Sequence, residues 1–200
     1  NVVSFDEGFL GMLRPYRGLR EANFHEVMEA LLVVGESLHR ASTVDRDLVE
    51  SLWSTATLMR HWGLEPSGML QRNKLITEED LQRLATWVSI FEEVALGLLN
   101  GCPPHLLVDY YCEYVVQYGA GENAAAFVPW MVQFLEDPEF FEHSDPTDTA
   151  KALGKIGAAA KSAIPALQAA KDRACDEDFR AEALAAIADA LQKLGFRPGD

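Results

Sequence analysis

One short stretch of the chain carries four side chains of the types that bind transition metals. Cys102, His105, Asp109 and Cys112 follow one another at spacings of three, four and three, and thiolate, imidazole and carboxylate groups are the ligands that Zn²⁺ takes. The spacing puts the last three on one face of a helix. Consecutive positions on one helix do not surround a tetrahedral ion without further ligands. We therefore rank this set as a weak metal site and favour two small buried cysteines beside a surface His105–Asp109 pair.

Other catalytic patterns in the sequence are incomplete. Glu36 and His39 form one Glu-x-x-His pair, which helical di-iron sites use twice. His25-Glu26 is followed by Glu29 where a zinc-protease helix has a second histidine. No serine lies in a nucleophile elbow, and no glycine-rich loop precedes a Lys-Ser/Thr pair. We therefore expect a non-enzymatic protein with no catalytic residues and no cofactor.

A long acidic stretch offers a different kind of chemistry. From Leu84 to Ala150 there is no Lys or Arg but there are eleven Asp and Glu residues, and nine of the 19 aromatic residues lie in 110–141. Aromatic rings beside carboxylates bind Arg and Lys through cation–π contacts, hydrogen bonds and ion pairs. Tyr111, Tyr114 and Tyr118 share one helical stripe and are expected mostly in the core. The predicted binding residues are Tyr110, Glu113, Gln117, Glu122, Trp130, Glu136 and Asp137.

Composition excludes several classes of function. The 200 residues carry a formal net charge of −14, which disfavours nucleic-acid binding because phosphate neutralisation needs clustered cations. A hydrophobic share of 48% excludes intrinsic disorder. No apolar run approaches the roughly 20 residues of a membrane span, and the first residues show no signal-peptide pattern. Three cysteines predict no disulfide framework and favour a cytoplasmic location.

Helical periodicity runs through the chain, with no alternating pattern typical of a strand. We predict three segments: an irregular lead-in over 1–22, an N-terminal helical part over 23–101 and a repeat region over 102–200, all within one continuous helical domain. The first helix is predicted to begin at Asn23, in a capping box with Glu26. Further helices are predicted to start near Asp45, Thr77 and Pro103-Pro104, and residues 66–73 are predicted to form a loop.

The C-terminal half contains an internal repeat. Gly119, Gly157 and Gly195 are spaced 38 residues apart, and each follows a similar helix end. Glycine suits that position because the residue after a helix often takes a left-handed backbone. Pro129 and Pro165, 36 residues apart, mark the following segment of the first two units. This period is typical of stacked helix pairs, in which one pair alone cannot bury both of its faces.

The run from Ala150 to Leu167, Ala-Lys-Ala-Leu-Gly-Lys-Ile-Gly-Ala-Ala-Ala-Lys-Ser-Ala-Ile-Pro-Ala-Leu, resembles a HEAT-like repeat of the short bacterial type, which is also found in phycobilin lyases. The resemblance is clearest over 147–195. It implies an all-α fold without β-sheet, in which antiparallel helix pairs stack as an α–α superhelix. In each unit helix A ends at the glycine and helix B contains the proline. The first unit departs from the pattern by being aromatic, and 136–148 form a longer acidic loop than usual.

The resemblance implies a protein–protein interaction or scaffold module rather than an enzyme. Combined with the acidic stretch, it predicts that a basic protein partner binds around 104–148, with no nucleic-acid or membrane partner. Three alternatives stay open at this point. They are an immunity- or antitoxin-type inhibitor of a nucleic-acid-acting enzyme, a helper resembling a bilin lyase, and a helical metalloenzyme using Cys102, His105 and Cys112.

Overall fold

The computed structural model describes residues 8–137, 145–174 and 181–196. This part of the chain is helical throughout and contains no strand, so the predicted all-α class is confirmed. Several turns of 3₁₀- or π-helix lie between the α-helices. The described residues form nine α-helices: α1 (Glu21–Leu38), α2 (Arg46–Met59), α3 (Met69–Arg72), α4 (Glu78–Leu99), α5 (Pro104–Tyr118), α6 (Val128–Glu136), α7 (Thr147–Ile156), α8 (Ile164–Ala174) and α9 (Ala181–Lys193).

The chain divides into two compact units, Asn1–Cys102 and Pro103–Asp200. The break between them lies one residue beyond the start predicted for the repeat region. Each unit has its own set of buried apolar side chains. They are therefore described separately below, as unit 1 and unit 2.

In unit 1, α1 and α2 both pack on the long helix α4. The centre of this packing is Trp87 of α4, which is fully buried. Its ring stacks on Phe24 of α1 at 4.9 Å between centroids and contacts Phe9 of the lead-in at 5.9 Å. The lead-in is also fixed by Tyr16, whose hydroxyl donates to Asp80 at 2.6 Å. The segment before α1 is therefore part of the core despite its irregular backbone.

The boundaries of the first helix differ from the prediction. Helix α1 begins at Glu21, and Asn23 lies within its first turn with only 8% of its surface exposed. The predicted capping box at Asn23 is therefore wrong, because a residue with helical backbone inside the first turn is not the cap. Arg20 takes the cap position without a side-chain hydrogen bond.

The predicted loop at 66–73 contains the short helix α3. Gly68 precedes it in a tight turn, where an added Cβ would lie 2.4 Å from the His61 carbonyl oxygen. Only glycine fits this backbone approach, which no periodic pattern reveals. Two other predicted starts are confirmed. The carboxylate of Asp45 accepts hydrogen bonds from Asp47 N and Leu48 N, and the Thr77 hydroxyl accepts one from Asp80 N.

In unit 2, helices at equivalent positions of the sequence repeat contact one another. Helix α7 packs against α5 on one side and α9 on the other, while α8 packs against both α6 and α9. The first, aromatic copy of the repeat is packed around Tyr111 of α5 and Phe127, whose rings stack at 3.7 Å between centroids. Tyr111 and Tyr114 are fully buried and Tyr118 is half-buried, which confirms their predicted place in the core.

The repeat markers occupy equivalent structural positions. Gly119, Gly157 and Gly195 all have positive φ, at 108°, 67° and 84°, which confirms the prediction that these helix ends need glycine. Pro129 and Pro165 are the second residues of α6 and α8, and a 3₁₀ segment precedes each helix. Part of the predicted acidic loop (138–144) and the start of the predicted last helix (176–180) lie outside the described residues.

Gly154 sets the distance between α7 and α9. A Cβ added there would meet Ala190 of α9, at 3.3 Å from its Cα and 3.5 Å from its Cβ. The two helices approach this closely because small residues face each other at the contact. A large side chain has no space without moving one helix away from the other.

We predict that Gly154→Leu lowers the free energy of unfolding of unit 2 by about 2 kcal/mol through overpacking. Gly154→Ala is expected to stay within about 1 kcal/mol, because its gain in helix propensity offsets a small shift of Ala190. Ala185→Leu, on the exposed side of α9, is the control and is expected to have little effect. Urea unfolding followed by circular dichroism measures all three, and equal effects of both leucine variants would contradict the packing argument.

Candidate functional site

Four carboxylates of unit 2 gather where α5 packs against the start of α7. Asp109 and Glu113 lie one turn apart on α5, and Asp145 and Asp148 lie at the N-terminal end of α7. Their charges act on one another, since Asp148, Glu113 and Asp145 all raise the pKa of Asp109. We call these four residues the acidic face. It joins two segments whose acids are 32 to 39 positions apart in the chain.

Asp109 is the most perturbed member of the acidic face. Its Oδ1 accepts a hydrogen bond from the buried Thr149 hydroxyl at 3.0 Å. The pKa of Asp109 is raised to about 6, first by burial and then by the neighbouring carboxylates, against the lowering effect of the Thr149 hydrogen bond. Burial, and then Asp148, also raise the pKa of Glu113. Keeping these carboxylates ionised therefore costs free energy, and a bound cation would reduce that cost.

The first turn of α7 provides a local reason for two of these acids. Asp145 Oδ1 accepts a hydrogen bond from Thr147 N at 2.9 Å and another from the Thr147 hydroxyl, an arrangement typical of Asp before a helix. Asp148 lies in the first turn, where a carboxylate is stabilised by the partial positive charge of the helix N-terminus. The helix therefore offsets part of the repulsion within the acidic face.

The predicted binding residues fall into two groups. Glu113, itself part of the acidic face, and Gln117 are exposed on α5, and Tyr110 is half-buried, so Tyr110 and Gln117 border the acidic face. The others belong to the segment from 122 to 137: Glu122 begins the 3₁₀ segment before α6, Trp130 is half-buried near Phe127, Glu136 is exposed at the end of α6, and Asp137 follows it. The predicted set omitted Asp145 and Asp148. The available sequence signal for Asp145 was its Asp-x-Thr pattern before a helix.

The candidate metal ligands are directed to different partners. His105 Nε2 pairs with Asp137 Oδ2 at 2.9 Å, so the expected His105–Asp109 pair is wrong. The reason is that α7 covers that side of α5 and supplies Thr149 to Asp109. Cys112 is fully buried, as expected, and burial raises the pKa of its thiol well above the usual value. Cys102 is half-buried, and burial likewise raises its pKa.

Within residues 8–137, 145–174 and 181–196, no group of three or more His, Cys, Asp or Glu residues is arranged to hold a metal ion.

The stretch without Lys or Arg in the sequence is not free of cations in space. Lys155 of α7 donates to the Val116 carbonyl oxygen near the end of α5, at 2.7 Å. Lys151, one turn earlier on α7, pairs with Glu182 of α9 at 2.7 Å, and Asp148 and Asp145 also raise its pKa. Both lysines come from just beyond the acidic stretch. They place positive charge near Val116 at the end of α5 and close to Asp148 and Asp145.

Comparison with known proteins does not assign a family to this arrangement. No protein-family model matches the chain, and no curated protein and no solved structure is significantly similar to it. None of the described helices combines the length and the apolar character that a membrane crossing requires.

Unit 1 carries two apolar surfaces that the sequence prediction did not include. An apolar cavity of about 400 Å³ lies between α1 and α2, and a groove of about 290 Å³ lies between α2 and α4. Trp53 borders the groove and is 75% exposed. The sequence feature that could have revealed these surfaces is the width of the apolar stripe on α2. Leu48 lines the cavity and Val49 lines the groove, so the stripe reaches two sides of the helix.

Asp109 gives unit 2 a specific pH dependence. Because the folded-state pKa of about 6 lies above the usual aspartate value of 3.8, the folded protein binds this proton more tightly than the unfolded chain does. The stabilisation is complete below pH 4 and is lost as the pH rises through 6. Asp109→Asn keeps an acceptor for Thr149 but removes the charge. We predict that it raises the free energy of unfolding at pH 8 by up to about 3 kcal/mol and leaves it unchanged near pH 4.

Urea unfolding of the two proteins across this pH range measures the difference. Glu29→Gln, at an exposed position of α1, is the control and is expected to show no such pH dependence. A gain from Asp109→Asn that is the same at pH 4 and pH 8 would mean that the charge of Asp109 is not its cause.

Proposed function

We propose that this protein is a non-catalytic protein-binding module whose acidic face binds a basic segment of a protein partner. The observation that carries the proposal is the packing of α5 against α7, where Thr149 of α7 donates to Asp109 of α5 at 3.0 Å and the charges of Glu113, Asp145 and Asp148 all act on Asp109. The proposal keeps the partner class expected from the sequence and narrows the surface from 104–148 to Asp109, Glu113, Asp145 and Asp148. Tyr110 and Gln117 form its border.

We further propose that unit 2 is a short HEAT-like solenoid. Three features support this: glycines with positive φ at 38-residue intervals, prolines at the second position of α6 and α8, and contacts between equivalent helices of successive pairs. Stacked helix pairs present an extended surface made of several helices, and such surfaces commonly bind other proteins. The acidic face fits this scheme because it spans two equivalent helices, α5 and α7.

Electrostatics decide which partner chemistry fits. Carboxylates that raise one another's pKa are stabilised when a cation binds among them, because the new attraction offsets their repulsion. A guanidinium group suits the site best, since it binds two carboxylate oxygens at once and loses less hydration than an ammonium. The half-buried ring of Tyr110 lies next to the exposed carboxylate of Glu113 along the helix surface, and it offers an aromatic contact to the same group.

A fluorescein-labelled peptide of alternating Arg and Ser serves as the probe, and fluorescence anisotropy measures its Kd. We predict that Glu113→Gln combined with Asp148→Asn weakens binding about tenfold at 50 mM NaCl, because each lost ion pair contributes about 0.5–1 kcal/mol at an exposed site. Binding by the unaltered protein is expected to weaken markedly at 300 mM NaCl, where screening is stronger.

The control is Glu26→Gln with Glu29→Gln, which removes the same charge from exposed positions of α1. We expect it to change Kd less than twofold, within roughly 0.4 kcal/mol. Equal weakening by both double variants would attribute binding to the overall net charge and overturn the assigned surface. Circular dichroism verifies that the variants remain folded.

A further inference from the structure

The apolar cavity of unit 1 exists because α1 and α2 both pack on α4 and leave a gap between their own apolar sides. Val34 and Leu38 of α1 face this gap from one side, Leu48 of α2 faces it from the other, and Phe91 and Leu98 of α4 form its floor. Val34, Leu38 and Leu48 are each only half-buried, although they belong to core-facing stripes. Among the described residues, no side chain fills this gap, which a well-packed core would fill.

The size and shape of the cavity suit a small elongated ligand. Its volume of about 400 Å³ lies within the range of about 300–1,000 Å³ that small-molecule sites occupy. It extends along α1 from Val27 to Leu38, a helical rise of about 16 Å. That length accommodates a medium-length alkyl chain lying between the two helices.

The mouth of the cavity is polar and acidic. A second depression shares Leu10, Ser51 and Thr55 with the apolar cavity and is also lined by Asp47 and Glu50. Both carboxylates are exposed, and no Lys or Arg lines either depression in the part of the chain that the structure describes. The Ser51 hydroxyl donates to the Asp47 carbonyl oxygen at 2.7 Å, so its own oxygen is available as an acceptor. This mouth attracts a hydrogen-bond donor or a cation and repels a carboxylate.

We propose that unit 1 binds an alkylamine-like ligand, with the alkyl chain between α1 and α2 and the ammonium group at Asp47 and Glu50. The driving force is the burial of apolar surface, at about 0.8 kcal/mol for each methylene group. The two carboxylates and the Ser51 and Thr55 hydroxyls select the head group. This site is independent of the acidic face of unit 2, so either proposal can fail without the other.

Isothermal titration calorimetry of the full chain tests the proposal with decylamine, decanol and decanoate, each below the concentration at which it forms micelles. We expect decylamine to bind about tenfold more tightly than decanoate, because the exposed carboxylates of Asp47 and Glu50 attract an ammonium group and repel a carboxylate. Decanol is expected to lie between them. Propylamine is expected not to bind measurably, since a short chain buries too little apolar surface.

Matched variants separate the cavity from its mouth. Val34→Phe fills the cavity and is expected to weaken decylamine binding at least about tenfold, the equivalent of about 1.4 kcal/mol. Val33→Phe makes the same change at a neighbouring position that is 54% exposed and does not line the cavity, and is expected to have no effect. Ala30→Leu, at an exposed lining position, provides a second way to narrow the cavity if Val34→Phe does not fold.

The head-group preference has its own control. Asp47→Asn with Glu50→Gln is expected to bring decylamine and decanoate to within about twofold of each other while decanol binding stays the same. Glu26→Gln with Glu29→Gln removes equal charge away from the cavity and is expected to keep the preference. If both double variants remove it, the preference reflects net charge and the assigned mouth is wrong.

Two other outcomes would overturn the proposal. The first is the absence of decylamine and decanol binding, or binding that Val34→Phe and Ala30→Leu leave unchanged. The second is binding that appears only when Val3 and Phe5 are replaced by serine, since the cavity would then belong to the N-terminal residues of the chain itself.

Discussion

The second unit depends on one constraint: α7 has only ten residues and has to be buried on two sides at once. It meets this constraint with small residues, because Gly154 allows α9 to approach closely and Ala150 and Ala152 are fully buried. A helix built in this way has little surface left for charged side chains. Its charges therefore lie along its edges, where Asp148 reaches toward α5 and Lys151 toward α9.

The same constraint explains why the acidic stretch of the sequence is interrupted by cations in the folded chain. The last carbonyl oxygens of a helix have no hydrogen-bond donor within that helix. In unit 2, α5 and α6 each receive a donor from the equivalent helix of the next repeat. Lys155 of α7 donates to Val116 of α5, and Arg173 of α8 donates to Leu135 of α6. Both cations are the second-last residues of their helices. The order of charged residues along the chain does not reveal these hydrogen bonds, because they depend on which helices stack on one another.

The sequence was sufficient to predict features that depend on neighbouring residues. Helical periodicity, the helix starts at Asp45 and Thr77 and the glycines with positive φ are all local, and the structure contains them. Features that depend on three-dimensional contacts were not predictable in the same way. Asp109 turned out to face Thr149 rather than His105, and the cavity in unit 1 follows from the way two helices share α4. The candidate site was thus predicted as a region, and its composition required the fold.

The hydrogen bonds from Lys155 and Arg173 also have a direction along the chain. In both cases the donor follows its acceptor, by 39 and 38 residues. During synthesis, α5 and α6 therefore leave the ribosome before the groups that complete their C-terminal ends have been made. The C-terminal ends of α5 and α6 therefore gain these two donors only after the next repeat has been synthesised.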